Sequence, residues 1–174
     1  MELAVNGKLY QVLRLLGKGK GGYSYLVTDG AGEYVIKQIH HEPCDYYTFG
    51  NKMEAEIFCY NKLSSLGVVM PKMLAYDLNQ ELILKEYIEG DTIFDYVLRK
   101  EMKQDFVDQV KAMCERLYPA NTNIDYFPTN FVVHDGKLYY VDYECNDYMA
   151  QWNYENWGSQ YWWKSPAFLE RFQK

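Results

Sequence analysis

The sequence predicts an α+β protein with a β-rich first half and a helix-rich second half. Strand-like runs separated by turn residues fill the first forty positions. Apolar residues recur at helical spacing from position 49, and again from position 105. A short hairpin pattern then returns near position 130, inside the helix-rich half.

The strands come first. Lys8 to Leu16, Ser24 to Thr28 and Glu33 to Ile39 are apolar, β-tolerant runs. The glycine-dense turn at residues 17–22 joins the first pair, and Asp29-Gly30-Ala31-Gly32 joins the second, which describes an antiparallel meander. A helix is expected from Phe49 to Leu66, stopped by Gly67. Pro71 to Tyr76 and Glu81 to Tyr87 read as two more strands around the turn Asp77-Leu78-Asn79-Gln80. Helices are expected over Thr92 to Leu98 and Asp105 to Leu117, the latter with Phe106, Val110, Met113 and Leu117 on one stripe. Asn130 to Val133 and Lys137 to Val141 flank the turn His134-Asp135-Gly136, and the aromatic tail from Tyr148 onward is expected to be helical.

Composition narrows the class. Of 174 residues 48% are hydrophobic and 17% aromatic, eighteen of them tyrosines, which suits a folded core and not a disordered chain. A net charge of -6 argues against a broad nucleic-acid surface. The four cysteines (Cys44, Cys59, Cys114, Cys145) show no CxxC or zinc-like spacing, and free thiols fit a reducing compartment. His40, His41 and Cys44 form the one metal-like cluster, better read as a polar loop. No signal pattern or membrane-length apolar run is evident, so the expectation is a cytoplasmic protein with no membrane partner. All four tryptophans lie in the tail, where completing a core is the plain reading and a recognition surface the sharper one.

Residues 16–22, Leu-Gly-Lys-Gly-Lys-Gly-Gly, hold G-x-G-x-x-G at Gly17, Gly19 and Gly22. A Walker A loop needs Lys and then Ser or Thr after the last glycine, and Tyr23-Ser24 follows instead. A dinucleotide fingerprint needs a helix next, whereas Ser24 to Thr28 is strand-like. A glycine hairpin lying over phosphates remains, beside the plain alternative of a flexible turn. Strand alternation places Lys37 with Val35 and Ile39, on a face where a lysine needs an anionic partner, unless it is an edge residue reaching water. Met53, Glu56, Tyr60 and Leu63 share one helical stripe, so Glu56 faces the core while charged and is the candidate partner; Glu54 reads as solvated.

Downstream, Asn123-Ile124-Asp125-Tyr126-Phe127-Pro128-Thr129-Asn130 has an Asp followed five residues later by an Asn. The hairpin pattern then leads to Asp142-Tyr143-Glu144. This run resembles the catalytic loop and metal-binding Asp of the protein-kinase-like superfamily. The glycine turn, Lys37, Glu56 and the hinge-like strand Leu82 to Gly90 fall in the family's order. The details look more like the RIO and aminoglycoside-phosphotransferase branches. Asn123 stands where a histidine is usual, Glu144 where a glycine is usual, and Lys85 near the gatekeeper position.

The resemblance implies a bilobal kinase-like fold, with an antiparallel β-rich N-lobe (1–84), a hinge (85–90) and a truncated, mainly helical C-lobe (91–174). It implies ATP and Mg²⁺ as cofactors. Gly17, Gly19 and Gly22 would cover the phosphates, Lys37 would hold them and Glu56 would fix Lys37. Glu86 to Ile88 would meet adenine, and Asp91 the ribose. Asn130 and Asp142 would bind the metal, and Asp125 would act as base toward a hydroxyl acceptor. The acceptor is expected to be a protein Ser or Thr; a small-molecule hydroxyl, or a nucleotide-binding pseudokinase without turnover, are the alternatives.

Overall fold

Strands and helices alternate largely as the sequence pattern predicts, in a computed structural model that describes residues 1–42 and 51–172. Two compact units divide the chain: Met1–Phe58 with Pro71–Tyr87, and Cys59–Met70 with Ile88–Lys174.

The first unit is built on β1 (Glu2–Val5), β2 (Lys8–Lys18), β3 (Gly22–Thr28), β4 (Glu33–Ile39), β5 (Met73–Asp77) and β6 (Leu82–Glu86). They form one antiparallel sheet in the order β1-β2-β3-β4-β6-β5. Strand β1 was not expected. It is joined to β2 by Asn6-Gly7, both at positive φ (51° and 85°), the Asn-Gly pair that a tight hairpin favours. Val5, Tyr10, Val27, Ile36, Leu82 and Leu84 bury one face. The sheet curls until its edges meet: the Asn6 N–H donates to Asp77 Oδ2 at 2.9 Å, and Asn6 Nδ2 to the Tyr76 carbonyl at 3.1 Å. Helix α1 (Lys52–Ser65) follows β4 and contributes residues to both units. Its expected start at Phe49, like Cys44 of the metal-like cluster, lies outside the described residues. Gly67 ends it as expected, at φ 77° with its N–H on the Ser64 carbonyl.

The second unit contains β7 (Asp91–Thr92), α2 (Ile93–Leu98), α3 (Gln104–Leu117), β8 (Thr122–Asn123), β9 (Phe131–His134), β10 (Lys137–Tyr140), β11 (Asn146–Asp147) and α4 (Pro166–Phe172). Helix α2 begins one residue later than expected because Thr92 is its cap. The Thr92 hydroxyl accepts from Asp95 N–H at 3.1 Å, and the Asp95 carboxylate accepts from Thr92 N–H at 2.9 Å. The α3 stripe is buried as its spacing predicts, at Phe106, Val110, Met113 and Leu117. Strands β10, β9 and β7 form one small sheet, and β11 pairs with β8.

The tail is less helical than expected. Short 3₁₀ turns occupy Ala150–Trp152 and Gly158–Tyr161 before α4. Its tryptophans divide: Trp162 is buried and donates its indole N–H to the Tyr126 carbonyl at 2.7 Å, whereas Trp152 and Trp163 are about half exposed. Among the described residues no helix is long and apolar enough to cross a membrane.

Candidate functional site

In the first unit the residues gather beneath the turn from Lys18 to Gly22. The alternation of β4 buries Val35 and Ile36 on opposite faces, and Lys37 emerges beside Val35's face, half-buried. Helix α1 turns Met53, Glu56 and Leu63 inward and leaves Glu54 exposed, as the stripe predicts. Lys37 Nζ and Glu56 Oε1 form an ion pair whose side chains retain only 12% and 10% exposure. A charge pair so far out of water loses solvation on both sides, which sheet packing alone does not require.

The glycines of the turn differ in what they do. At Gly22 an added Cβ would run into the Gln38 carbonyl of the neighbouring strand, so the close backbone approach requires glycine there. At Gly21 a Cβ would sit 3.5 Å from both Lys37 Nζ and Glu56 Oε1. Gly17 and Gly19, which the pattern singles out, have open space around them. Thus Gly21, absent from the motif reading, is the glycine against the ion pair.

Two side chains brace the turn: Lys52, which no sequence pattern marks, and His40 of the polar loop. His40 Nε2 lies 2.8 Å from the Gly19 carbonyl, and the His40 N–H donates to the Gly21 carbonyl at 3.1 Å. Lys52 donates to the Lys20 carbonyl at 3.3 Å and to the His40 carbonyl. His40 is therefore a turn brace, in keeping with the polar-loop reading of its cluster.

In the second unit the β9–β10 hairpin arranges the acidic run. Phe131 pairs with Tyr140, and the ladder extends one step further through Val141 N–H to the Asn130 carbonyl at 2.9 Å. Asn130, expected to open the strand, instead ends a 3₁₀ turn over Pro128–Asn130, and the strand starts at Phe131. The fixed φ of Pro128 suits that turn. Asn130 Nδ2 donates to the Asp125 carbonyl at 3.3 Å, and Asp125 Oδ1 accepts from Phe127 N–H at 3.1 Å. Asp142 Oδ1 accepts from Tyr143 N–H at 2.8 Å. The hairpin thus brings Asp125, Asn130 and the Val141-Asp142 step to its open end.

Tyr140 ties this end together. Fully buried, it donates its hydroxyl to the Glu144 carbonyl at 2.8 Å and accepts the Asp125 N–H at 3.2 Å. Burial pushes its phenol well above the usual tyrosine range, reinforced by the Asp142, Asp125 and Glu144 carboxylates. A tyrosine in a strand reads from sequence as core, so nothing marked this one.

The expected nucleotide contacts are more mixed. Glu86 donates its backbone N–H to the Lys72 carbonyl at 3.0 Å, and its carboxylate accepts from Lys72 N–H at 2.7 Å. That N–H is committed to the strand edge. Ile88 is half-buried. Asp91 accepts from Arg99 at 3.0 Å on an exposed edge.

Asp142 and Asn130 offer hard oxygen donors. With its Nδ2 on the Asp125 carbonyl, Asn130 has its amide oxygen to present to a cation. Among the described residues no three His, Cys, Asp or Glu side chains converge as a metal cage. Mg²⁺ does not need one, since it is commonly held by one or two protein oxygens plus phosphate and water. The donor set fits that ion. No protein-family model matches the chain, and no curated protein matches it as a relative.

Proposed function

We propose that the chain is an ATP- and Mg²⁺-dependent phosphotransferase that passes a phosphoryl group to a hydroxyl, on a bilobal protein-kinase-like fold. The observation that carries this reading is the buried Lys37–Glu56 ion pair lying against Gly21 of the glycine turn. A lysine held largely out of water beside a glutamate, against a glycine-rich turn, supports a role in meeting a polyphosphate.

The roles follow from the chemistry. Lys37 neutralises phosphate charge and Glu56 orients it. Asn130 and Asp142 would hold Mg²⁺, which supplies charge neutralisation on the phosphates. Asp125, fixed through its backbone by Tyr140 and Asn130, orients the acceptor hydroxyl and takes its proton. A serine or threonine of a protein is the acceptor we favour.

The test incubates wild type and Asp142→Ala with Mg²⁺ and γ-labelled ATP, following ADP release and label on protein. Release or label in wild type alone is the expected result. Nucleotide binding without transfer would reduce the chain to a binding module, and no binding would end the proposal. Asp125→Ala should slow transfer by roughly 10²–10⁴-fold.

A further inference from the structure

Cys59 and Cys145 are separated by 86 positions in sequence, yet their sulfur atoms lie 2.9 Å apart, and both cysteines are free. Cys59 sits on the second half of α1, buried. Cys145 is half-buried and held on both sides. The residue before it is fixed by the Tyr140 hydroxyl on the Glu144 carbonyl, and the residue after it pairs with Asn123 in β11–β8. A ring contact close to both cysteines, Tyr60 on Tyr143 at 4.8 Å, keeps α1 against this segment. The two thiols are therefore brought together by their surroundings. Closing them to the roughly 2.05 Å of a disulfide takes about 1 Å of movement.

We propose that Cys59 and Cys145 are a reversible dithiol–disulfide site whose oxidant is hydrogen peroxide or another small hydroperoxide. The inference stands apart from the phosphotransfer reading and needs no nucleotide. Cys145 is the attacking sulfur and Cys59 the resolving one. Cys145 is the more accessible of the two. Its thiol is held below the usual range by the Cys59 hydrogen bond and the Lys62 ammonium, against burial, Glu144 and Asp147. Cys59 is pushed far up by the same hydrogen bond and by burial.

In the first step the Cys145 thiolate attacks a peroxide oxygen and the O–O bond breaks. This leaves a sulfenic acid on Cys145, and the departing hydroxide takes up a proton as water. In the second, the Cys59 sulfur attacks the Cys145 sulfur, the S–O bond breaks, and hydroxide leaves as water with the Cys59 proton. Two thiols are oxidised by two electrons, and one hydrogen peroxide is reduced to two waters. A dithiol reductant reverses the bond by exchange.

The test treats the reduced full chain with a small excess of hydrogen peroxide, blocks remaining thiols with N-ethylmaleimide, and maps peptides without reduction. The expected product is a peptide pair joined through Cys59 and Cys145, lost on treatment with dithiothreitol. Both thiols fully alkylated after peroxide, or a bond joining a different pair, would overturn the proposal. The order of attack is read from variants with dimedone present. Cys59→Ser, whose hydroxyl still donates a hydrogen bond, should give an adduct on Cys145, and Cys145→Ser none on Cys59. The reverse pattern would overturn the assignment of roles.

Discussion

The hydroxyl of Tyr140 donates to the Glu144 carbonyl at 2.8 Å while receiving the Asp125 N–H, so one phenol spans the two loops that carry Asp125 and Asp142. Tyr140→Phe keeps the ring and removes only the bridge. It takes one hydrogen bond from each of two partly buried backbone groups, a loss of about 1 kcal/mol by chemical denaturation. If the bridge positions Asp125, the transfer rate should fall while nucleotide affinity stays unchanged. An unaltered rate in a folded Tyr140→Phe protein would sink the positioning role.

The Lys37–Glu56 pair separates stability from activity. Removing one partner takes the ion-pair contact from a charge held mostly out of water, so Lys37→Met or Glu56→Gln should each cost about 1–3 kcal/mol. The double change Lys37→Met/Glu56→Leu should recover most of that stability and none of the transfer. A double variant that transfers phosphate at the wild-type rate would remove Lys37 from the chemistry.

The glycine turn yields an ordered series. Gly22→Ala must push back the Gln38 carbonyl and should lower the melting temperature clearly. Gly17→Ala and Gly19→Ala meet nothing and should stay within about 0.5 kcal/mol of wild type. Equal losses at all three positions would mean the turn is arranged otherwise.

Alkali should unfold the second unit in one step. Burial raises the phenols of Tyr118, Tyr126, Tyr140 and Tyr154 above their usual value of 10. A folded pKa above the unfolded one contributes stability that is intact below pH 10 and is lost as pH climbs toward the folded value. Phenolate absorbance from these tyrosines should therefore appear together with loss of circular dichroism. Gradual ionisation with the fold intact would show that they are open to solvent.

The main sheet and helices were legible because each carries its own period. Glu33 to Ile39 was bounded to the residue, and the α3 stripe predicted its buried face. Lys37 and Glu56 could be paired on paper because strand alternation and helix spacing each gave a direction. The two-residue strands were not legible, because β7, β8 and β11 exist only through distant partners such as Val133 for Asp91. Strand β1 is marked only by the Asn6-Gly7 pair, a hairpin signal of two residues that carries no period. Tyr140 and the Cys59–Cys145 pair are defined by what they touch, and single-chain spacing carries no mark of it.

The β9–β10 hairpin constrains how the sequence can drift during descent. Its arms pair from Phe131↔Tyr140 to His134↔Lys137 and close through Asp135-Gly136, both at positive φ. An insertion at that tip can loop outward and leave the ladder unchanged. A single deletion in either arm slides one strand by a residue, turns its side chains to the other face and shifts Asp142 against Asn130. Lineages that keep this site should therefore vary freely in tip length, and change arm length only by compensated pairs, one residue on each strand.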